Sequence, residues 1–342
     1  FQVCEVLGPR LGTACIMLTA KMTQWVSGDE RKVEAQLWGA VWLATSSSFA
    51  LWAKSGLEQP LASLLPIGAA YLLWRARSAE KKERRFLIAG LMMGGGCMTR
   101  PELHLLAILV GLPLVVDAIK RRKITRADLL YVVRILAVTA PCHLFRYSYY
   151  GSLIPNTFYV KTGTGANVWI SGLNTLREMF EFNHSGLLAI FAPLAFANRK
   201  RLLEKVTMGI IALSFMAYYV AVGVDEMQWH RLYLPALPFL CALAALGVQN
   251  LINGVVRVFM RESRGMRDVG FVLAWGLLAV AGGLNFRFTY KEMHGFDGHG
   301  DLSGTFHPDM GKFIVRHERP GALVAFQDVG STPYHAPDIN FL

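Results

Sequence analysis

Long apolar runs alternate with short polar connections over most of the chain. Most of the runs approach the ~20 residues that a helix needs to cross the ~30 Å hydrocarbon core of a membrane. The pattern therefore predicts an α-helical polytopic membrane protein with about ten spans, at residues 11–26, 35–53, 57–74, 86–98, 103–119, 127–145, 186–197, 203–223, 232–251 and 269–284. Because the runs 86–98 and 186–197 are too short to cross alone, we expect them to lie behind neighbouring segments or to join half-buried loops.

The pattern changes after residue 284, where short alternating runs are mixed with many glycines and polar residues. A buried strand is predicted at Leu323–Phe326, after a helix near Met310–His317. We therefore divide the chain into a transmembrane helical module, 1–284, and a small soluble α/β domain, 285–342, which we expect to be truncated.

Composition excludes two broad classes of protein. With 342 residues, 53% of them hydrophobic and 17% charged, the chain is too apolar for an ordinary soluble domain. The formal net charge of +11 would suit nucleic acid, but the basic residues form short clusters between apolar runs, as in loops that face an anionic leaflet. We therefore expect the lipid bilayer as a partner and no nucleic acid.

No cofactor is predicted. The five cysteines include no CxxC pair, so the sequence indicates neither a redox motif nor a zinc motif. Histidines and aspartates recur in the Gly-rich stretch 294–309, but their spacings match no established ligand pattern. A divalent metal is therefore not indicated.

The basic residues divide the connections into two sets that alternate along the chain. One set, at 31–32, 75–85, 120–126, 199–205 and 257–267, holds 21 lysines and arginines, whereas the other holds six. Because basic loops tend to stay in the cytoplasm, we assign the richer set to the cytoplasmic side of the inner membrane. The other loops and the C-terminal domain are then extracytoplasmic, which gathers distant segments on one side.

Four of the outward segments are unusual: the opening stretch, Lys54–Glu58, Thr99–Glu102 and Gly223–Arg231. Charges at membrane depth are costly unless they are paired or functional. One interpretation is structural, with three ion pairs: Lys54 with Glu58, Arg100 with Glu102, and Asp225 with Arg231. The other interpretation is a polar cavity that opens outward, which several such loops on one face favour.

The outward stretch Arg146–Lys161 is rich in tyrosines and turn-forming residues. Gly151, Pro155 and Asn156 break any helix, and the freed backbone groups need polar partners, so we place the stretch at the membrane surface. Tyrosines suit that position, because the ring lies among acyl chains while the hydroxyl reaches the headgroups. An anchoring belt without chemistry is the simpler interpretation of composition alone.

The motifs in these segments resemble those of the GT-C superfamily of bacterial membrane glycosyltransferases. They are S-G-L-E at Ser55–Glu58, R-P-E at Arg100–Glu102, R-Y-x-Y-Y-G-x-L-I-P-N-T-x-Y-x-K at Arg146–Lys161, and G-x-D-x-M-x-x-x-R-x-x-x-P at Gly223–Pro235. The sequence is similar to the branch that includes the mycobacterial terminal arabinofuranosyltransferase and its Gram-negative relatives. The tail motif Asp328–Gly330, with Tyr334 and Asp338, is similar to the start of that branch's outer domain. One departure is Val224–Glu226, where the family has Gly-Asp followed by an aromatic residue.

The resemblance implies transfer of a sugar from a polyprenyl-phosphate donor to a cell-envelope glycan or other acceptor, such as a protein, at the outer face of the cytoplasmic membrane. Such a reaction needs a carboxylate to activate an oxygen and cations to stabilise the departing phosphate. Arginine suits the second role, because its planar fork binds phosphate oxygens in pairs. The candidate substrate-binding residues are Lys54, Glu58, Arg100, Glu102, Arg146, Tyr149, Tyr150, Asn156, Lys161, Asp225, Trp229, His230 and Arg231.

A transporter or flippase-like carrier of a lipid-linked or anionic substrate is the alternative. Carriers of this kind often contain inverted repeats and interrupted helices at the midplane, whereas the charges here lie at the ends of the spans. GT-C enzymes typically have their catalytic aspartate in the first outward loop, so we expect the base upstream of Phe1, with Asp225 as a weak substitute. The fragment is therefore expected to bind the donor without catalysing transfer.

Cysteine labelling tests the orientation. With the native cysteines replaced, a membrane-impermeant thiol reagent added from outside should label single cysteines at positions 58, 102, 152 and 228, but not at 82, 122, 200 or 264, because only the first set lies in the outward loops. Reaction of cysteines at 152 and 82 from the same side would contradict the assignment.

Overall fold

The protein is represented by a computed structural model in which most of the chain is described. The described residues are 2–29, 33–55, 57–79, 82–153, 166–182, 185–223, 230–259, 309–325 and 332–341, with scattered positions between 272 and 291.

Helices account for nearly all of the described structure before residue 260. They are α1 (Gln2–Ser27), α2 (Val33–Ala44), α3 (Ser47–Lys54), α4 (Gln59–Ala76), α5 (Glu83–Thr99), α6 (Leu103–Arg121), α7 (Arg126–Tyr150), α8 (Ala166–Phe182), α9 (Ser185–Phe191), α10 (Leu202–Val222) and α11 (Leu237–Phe259). Two short 3-10 helices, Ala192–Ala197 and Arg231–Tyr233, precede α10 and α11.

The helical class of membrane protein is confirmed, and the number of spans stays a prediction. Four described helices are long and apolar enough to cross a membrane, namely Leu103–Arg121, Arg126–Tyr150, Leu202–Val222 and Leu237–Val255. They coincide with predicted runs. Many of their large apolar side chains are exposed, for example Ile108, Leu136 and Leu213, as expected for surfaces that face lipid.

The predicted run 35–53 is divided into two helices in the structure. α2 ends at Ala44, Ser46 has an extended backbone with φ −69° and ψ 117°, and α3 begins at Ser47. Hydroxyl side chains compete with the helical hydrogen-bond ladder, and the Thr45 hydroxyl donates to the Val41 carbonyl at 2.7 Å. The polar stretch at 45–48 therefore divides a segment that hydropathy alone predicts as one helix.

Helix α8 is an element that hydropathy did not predict. Trp169, Ile170 and Leu173 are exposed on it, while Met179 is buried, so it is amphipathic rather than uniformly apolar. It packs on α10 at Gly172, where a Cβ atom would overlap the Val220 carbonyl group. Only glycine permits this approach.

Helices α5 and α7 pack closely because α5 presents two glycines four residues apart. A Cβ atom added at Gly90 would lie 2.6 Å from the Tyr131 carbonyl oxygen, and one added at Gly94 would lie 2.9 Å from the Val138 Cβ atom. Small residues at this spacing let helix backbones approach each other in a membrane. Of the two alternatives for the short run 86–98, the structure therefore shows cover by a neighbouring helix.

Ion pairs join the helices at the end where the basic loops lie. Arg77, which follows α4, binds the Asp117 carboxylate of α6 with two hydrogen bonds, at 2.7 Å and 2.9 Å, and Glu204 of α10 with a third, at 2.8 Å. On α10, the buried Lys205 ammonium donates to the Asn198 carbonyl at 2.6 Å. These contacts satisfy charges that would otherwise be costly at the edge of the bilayer.

The chain divides into two compact units, Phe1–Phe286 and Arg287–Leu342. In the second unit, the two-residue strands Leu323–Val324 and Asn340–Phe341 pair in parallel. A helix at 309–317 supplies Ile314 to a small apolar cluster with Ala336 and Ile339. Its extracytoplasmic placement stays a prediction, as does the division of function between the two units.

The close approach of α5 and α7 can be tested with alanine. Gly90→Ala should lower the thermal stability of the detergent-purified protein by about 1–3 kcal/mol, because the added methyl group overpacks the contact. Gly95→Ala in the same helix is the matched control, since its Cβ atom would lie 3.6 Å from Leu65 Cδ1, an ordinary contact distance. Equal unfolding midpoints for the two variants would contradict this account.

Candidate functional site

Arg100 is the centre of an ion-pair network at the other end of the helices. It follows α5 with an extended backbone. Its Nη1 donates to Glu58 Oε1 at 3.0 Å, and its Nε donates to Glu102 Oε1. The exposed fractions of the side chains are 11% for Arg100, 4% for Glu102 and 37% for Glu58. The guanidinium group thus joins the connection before α4 to the connection before α6.

This pairing differs in part from the sequence interpretation. The pair between Arg100 and Glu102 is present, but the Glu58 carboxylate, which the sequence paired with Lys54, binds Arg100 instead. Lys54 is the exposed last residue of α3. The two tight connections therefore form one network, because Arg100 has enough donors to bind both carboxylates.

Arg231 and His230 lie where the chain re-enters the helices before α11. His230 has a left-handed backbone with φ 54°, and its Nδ1 is 2.8 Å from the Tyr219 hydroxyl of α10. The Arg231 guanidinium carbon lies 5.9 Å from the centre of the Trp52 ring in α3. Trp52 is two residues before Lys54, so Arg231 lies at the same end of the helices as the Arg100 network.

Arg146 lies on the last turns of α7, beside a histidine pair that joins α7 to α6. The Nε2 atoms of His143 and His104 are 3.0 Å apart, and His104 is two residues after Glu102. One turn beyond His143, the Arg146 guanidinium donates to the Leu153 carbonyl at 3.4 Å. Arg146 thus contacts the part of the tyrosine-rich stretch that follows α7.

The first tyrosines of that stretch belong to α7. The helix continues to Tyr150 and ends at Gly151, whose φ of 68° is the left-handed conformation of a C-terminal cap. Tyr149 stacks on Phe145 with ring centres 5.7 Å apart, and it meets Tyr150 edge-on at 4.7 Å. Both tyrosines are 70% exposed, as a role at the membrane interface requires.

Four of the predicted site residues lie outside the described residues. They are Asn156, Lys161, Asp225 and Trp229. The expected pair of Asp225 with Arg231 also falls there. The role of every predicted site residue stays a prediction.

The described residues at this end of the helices include four basic side chains, Lys54, Arg100, Arg146 and Arg231, and two carboxylates, Glu58 and Glu102. Guanidinium groups can bind the oxygens of a phosphate or another anion in pairs. Arginine and lysine donors near a departing phosphate would also stabilise its developing charge.

Sequence reasoning missed His104, His143, Tyr219 and Trp52. A signal was present for the histidines, because polar side chains within apolar runs are rare unless they have a partner or a function. Their partnership was not readable, since the two residues are 39 positions apart in the chain.

Comparison with known proteins identifies the fold. No protein-family model matches the sequence, and no curated protein sequence matches it. The structure is similar to the crystal structure of ArnT from Cupriavidus metallidurans in the apo state, with a TM-score of 0.64 and 14% identity, over 99% of this chain and 70% of that one. The chain has the ArnT fold. The crystal structure of the same ArnT bound to undecaprenyl phosphate matches with a TM-score of 0.56 and 14% identity, over 99% of this chain and 71% of that one.

The Arg100 network can be tested by its effect on stability. Arg100→Ala should destabilise the ArnT-like fold by about 3–5 kcal/mol, because it leaves the buried Glu102 carboxylate without its partner. Glu58→Gln should cost at most about 1 kcal/mol, since Glu58 is partly solvated. Thermal unfolding in detergent measures both changes.

The double variant Arg100→Ala with Glu102→Gln is the control for the stranded charge. It should recover part of the stability lost in Arg100→Ala, because a neutral amide is less costly to bury than a carboxylate. If Arg100→Ala were no more harmful than Glu58→Gln, the network would not hold the two connections together.

Proposed function

We propose that this chain functions in sugar transfer of the GT-C type, from a polyprenyl-phosphate donor to a cell-envelope glycan or other acceptor. One observation carries the proposal: the ArnT fold here places Arg100, whose position is fixed by Glu58 and Glu102, at one end of its helices. A protein with this fold binds undecaprenyl phosphate. Guanidinium groups bind phosphate oxygens in pairs, which is the contact that a lipid phosphate requires.

Arg100 is suited to a lipid phosphate because its position is already fixed. Its Nε and Nη1 are held by Glu102 and Glu58, so little side-chain entropy remains to be lost when an anion binds. Preorganised donors stabilise charge that develops in a transition state more effectively than mobile ones do. Arg231 and Arg146 add further guanidinium groups, which favour paired contacts to phosphate oxygens.

Glu58 and Glu102 have different roles in this proposal. Glu102 is 4% exposed and bound to Arg100, so it orients the guanidinium group. Glu58 is 37% exposed, and its Oε1 accepts hydrogen bonds from Arg100 and from Gln59 Nε2. Its accessible carboxylate is therefore placed to accept hydrogen bonds from hydroxyl groups of the sugar.

The finer assignments rest on the sequence motifs and on charge. The basic connections at the opposite end support an orientation in which the Arg100 network lies on the outer side of the inner membrane. The long tyrosine-rich motif supports the arabinofuranosyltransferase-like branch, and it supports stacking of Tyr149 or Tyr150 on a sugar face or a prenyl chain. The catalytic base stays unassigned.

Arginine-to-lysine variants test the phosphate role. Arg100→Lys or Arg231→Lys keeps the charge but removes the planar fork. Each variant should bind undecaprenyl phosphate more weakly by about 1–3 kcal/mol, and its sugar transfer should fall by a similar free energy. Binding is measured in detergent with undecaprenyl phosphate as the probe, and transfer with a panel of polyprenyl-phosphate sugars.

Arg84→Lys is the matched control for this experiment. Arg84 is exposed at the first turn of α5, at the opposite end from Arg100, and its replacement should leave binding unchanged. If the variants at positions 100 and 231 bound the lipid and transferred sugar as well as the unmutated protein does, both arginines would be structural residues. That result would contradict the proposal.

A further inference from the structure

Arg134 is a charged residue inside a spanning helix, and the proposed function does not use it. It belongs to α7 (Arg126–Tyr150), which is one of the helices long and apolar enough to cross a membrane. Arg134 comes eight residues after Arg126, so a rise of 1.5 Å per residue places it about 12 Å along the helix. The arginine therefore lies within the apolar part of α7, beyond the basic connection at 120–126.

The charge of Arg134 is not compensated within the described part of the chain. None of the residues described there forms a hydrogen bond or an ion pair with its guanidinium group, and its Nε atom is buried without a hydrogen-bond partner. At this end of the helices, Asp117 and Asp128 are bound by other arginines, and Glu83 is exposed in the first turn of α5. Because an arginine within a span is costly without a partner, a partner is needed from outside these residues.

Arg134 lies at the border between the contact with α5 and the surface of the helices. Its Cβ atom is next to Gly90 of α5, where an added Cβ would approach it to 2.9 Å. Its neighbours Leu129, Val133 and Leu136 in α7 are exposed. The Arg134 side chain itself is partly buried, and of its three nitrogens only Nε is enclosed. The terminal nitrogens therefore remain accessible from the surface.

The surroundings decide which kind of anion can reach these nitrogens. Large exposed apolar side chains on a spanning helix face acyl chains, and a free phosphate ion would have to leave water to pass among them. A phospholipid brings its own acyl chains and carries its phosphate at the edge of the hydrocarbon core. Because helical side chains tilt towards the N-terminus and long ones extend to the interface, Arg134 reaches towards the edge at which Arg126 lies.

We propose that Arg134 binds the phosphate group of an anionic phospholipid in the leaflet next to the basic connections. The guanidinium group donates to two phosphate oxygens, and the net negative charge of the lipid compensates the arginine. The exposed Arg85 and Arg126, at the starts of α5 and α7, attract anionic headgroups to the same edge. Gly90 is ten residues before Arg100, about 15 Å along α5, so this lipid site is separate from the Arg100 network.

Native mass spectrometry of the delipidated chain, with phosphatidylglycerol as the probe, tests the site. Arg134→Leu should lower the affinity for the lipid about 10–100-fold, because it removes a charge-assisted contact inside the span. Arg126→Leu is the matched control, since it removes the same charge from the exposed start of the same helix. Its effect should be at most about fivefold, as for a basic residue that attracts headgroups without a specific contact.

Two further probes identify the ligand. Phosphatidylcholine with the same acyl chains should bind more weakly than phosphatidylglycerol, because its headgroup has no net charge, and inorganic phosphate should not displace either lipid. Arg134→Gln replaces the leucine variant if that variant fails to fold, as judged by gel filtration. Equal phosphatidylglycerol affinities of the unmodified chain and the Arg134 variant would overturn the proposal, as would equal affinities for the two lipids or displacement by inorganic phosphate.

Discussion

The ion pairs of Arg100 with two carboxylates are the interaction on which the candidate site depends. A guanidinium group at the edge of a bilayer is costly unless its donors are satisfied, and here Glu58 and Glu102 satisfy them from two different connections. The same contact therefore neutralises a charge, joins the start of α4 to the start of α6, and fixes the direction of the remaining donors. A change at Arg100 therefore alters both connections at once.

The two ends of the helices use similar chemistry. At the end with the basic connections, Arg77 is bound by Asp117 and Glu204, and at the other end Arg100 is bound by Glu58 and Glu102. In each case one guanidinium group joins connections that are far apart in the sequence. The carboxylates differ in exposure, because Glu58 is 37% exposed whereas Glu204 is 10% exposed. The Arg100 network therefore presents a carboxylate that a bound molecule could reach.

Hydropathy predicted the elements that face lipid and missed those whose position depends on neighbours. Long runs such as 203–223 match helices closely, because burial in lipid selects apolar side chains at every position. The break at Ser46, the amphipathic α8 and the approach at Gly90 depend on hydrogen bonds or on contacts with other helices. For the site, the sequence indicated which connections carry the charges. It did not indicate that Glu58 would pair with Arg100 and not with Lys54, because Glu58 and Arg100 are 42 positions apart in the chain.

Gly172 has a consequence for how this protein tolerates change. The Val220 carbonyl group occupies the space where any side chain at position 172 would begin, so α8 and α10 are locked in one register and a slide of a single residue would drive a side chain into the backbone. On the exposed face of α8, replacement of Trp169 or Leu173 by another apolar residue should cost little stability. At position 172 any side chain would collide with the backbone of α10, so the smallest residue of the helix is the one that tolerates substitution least.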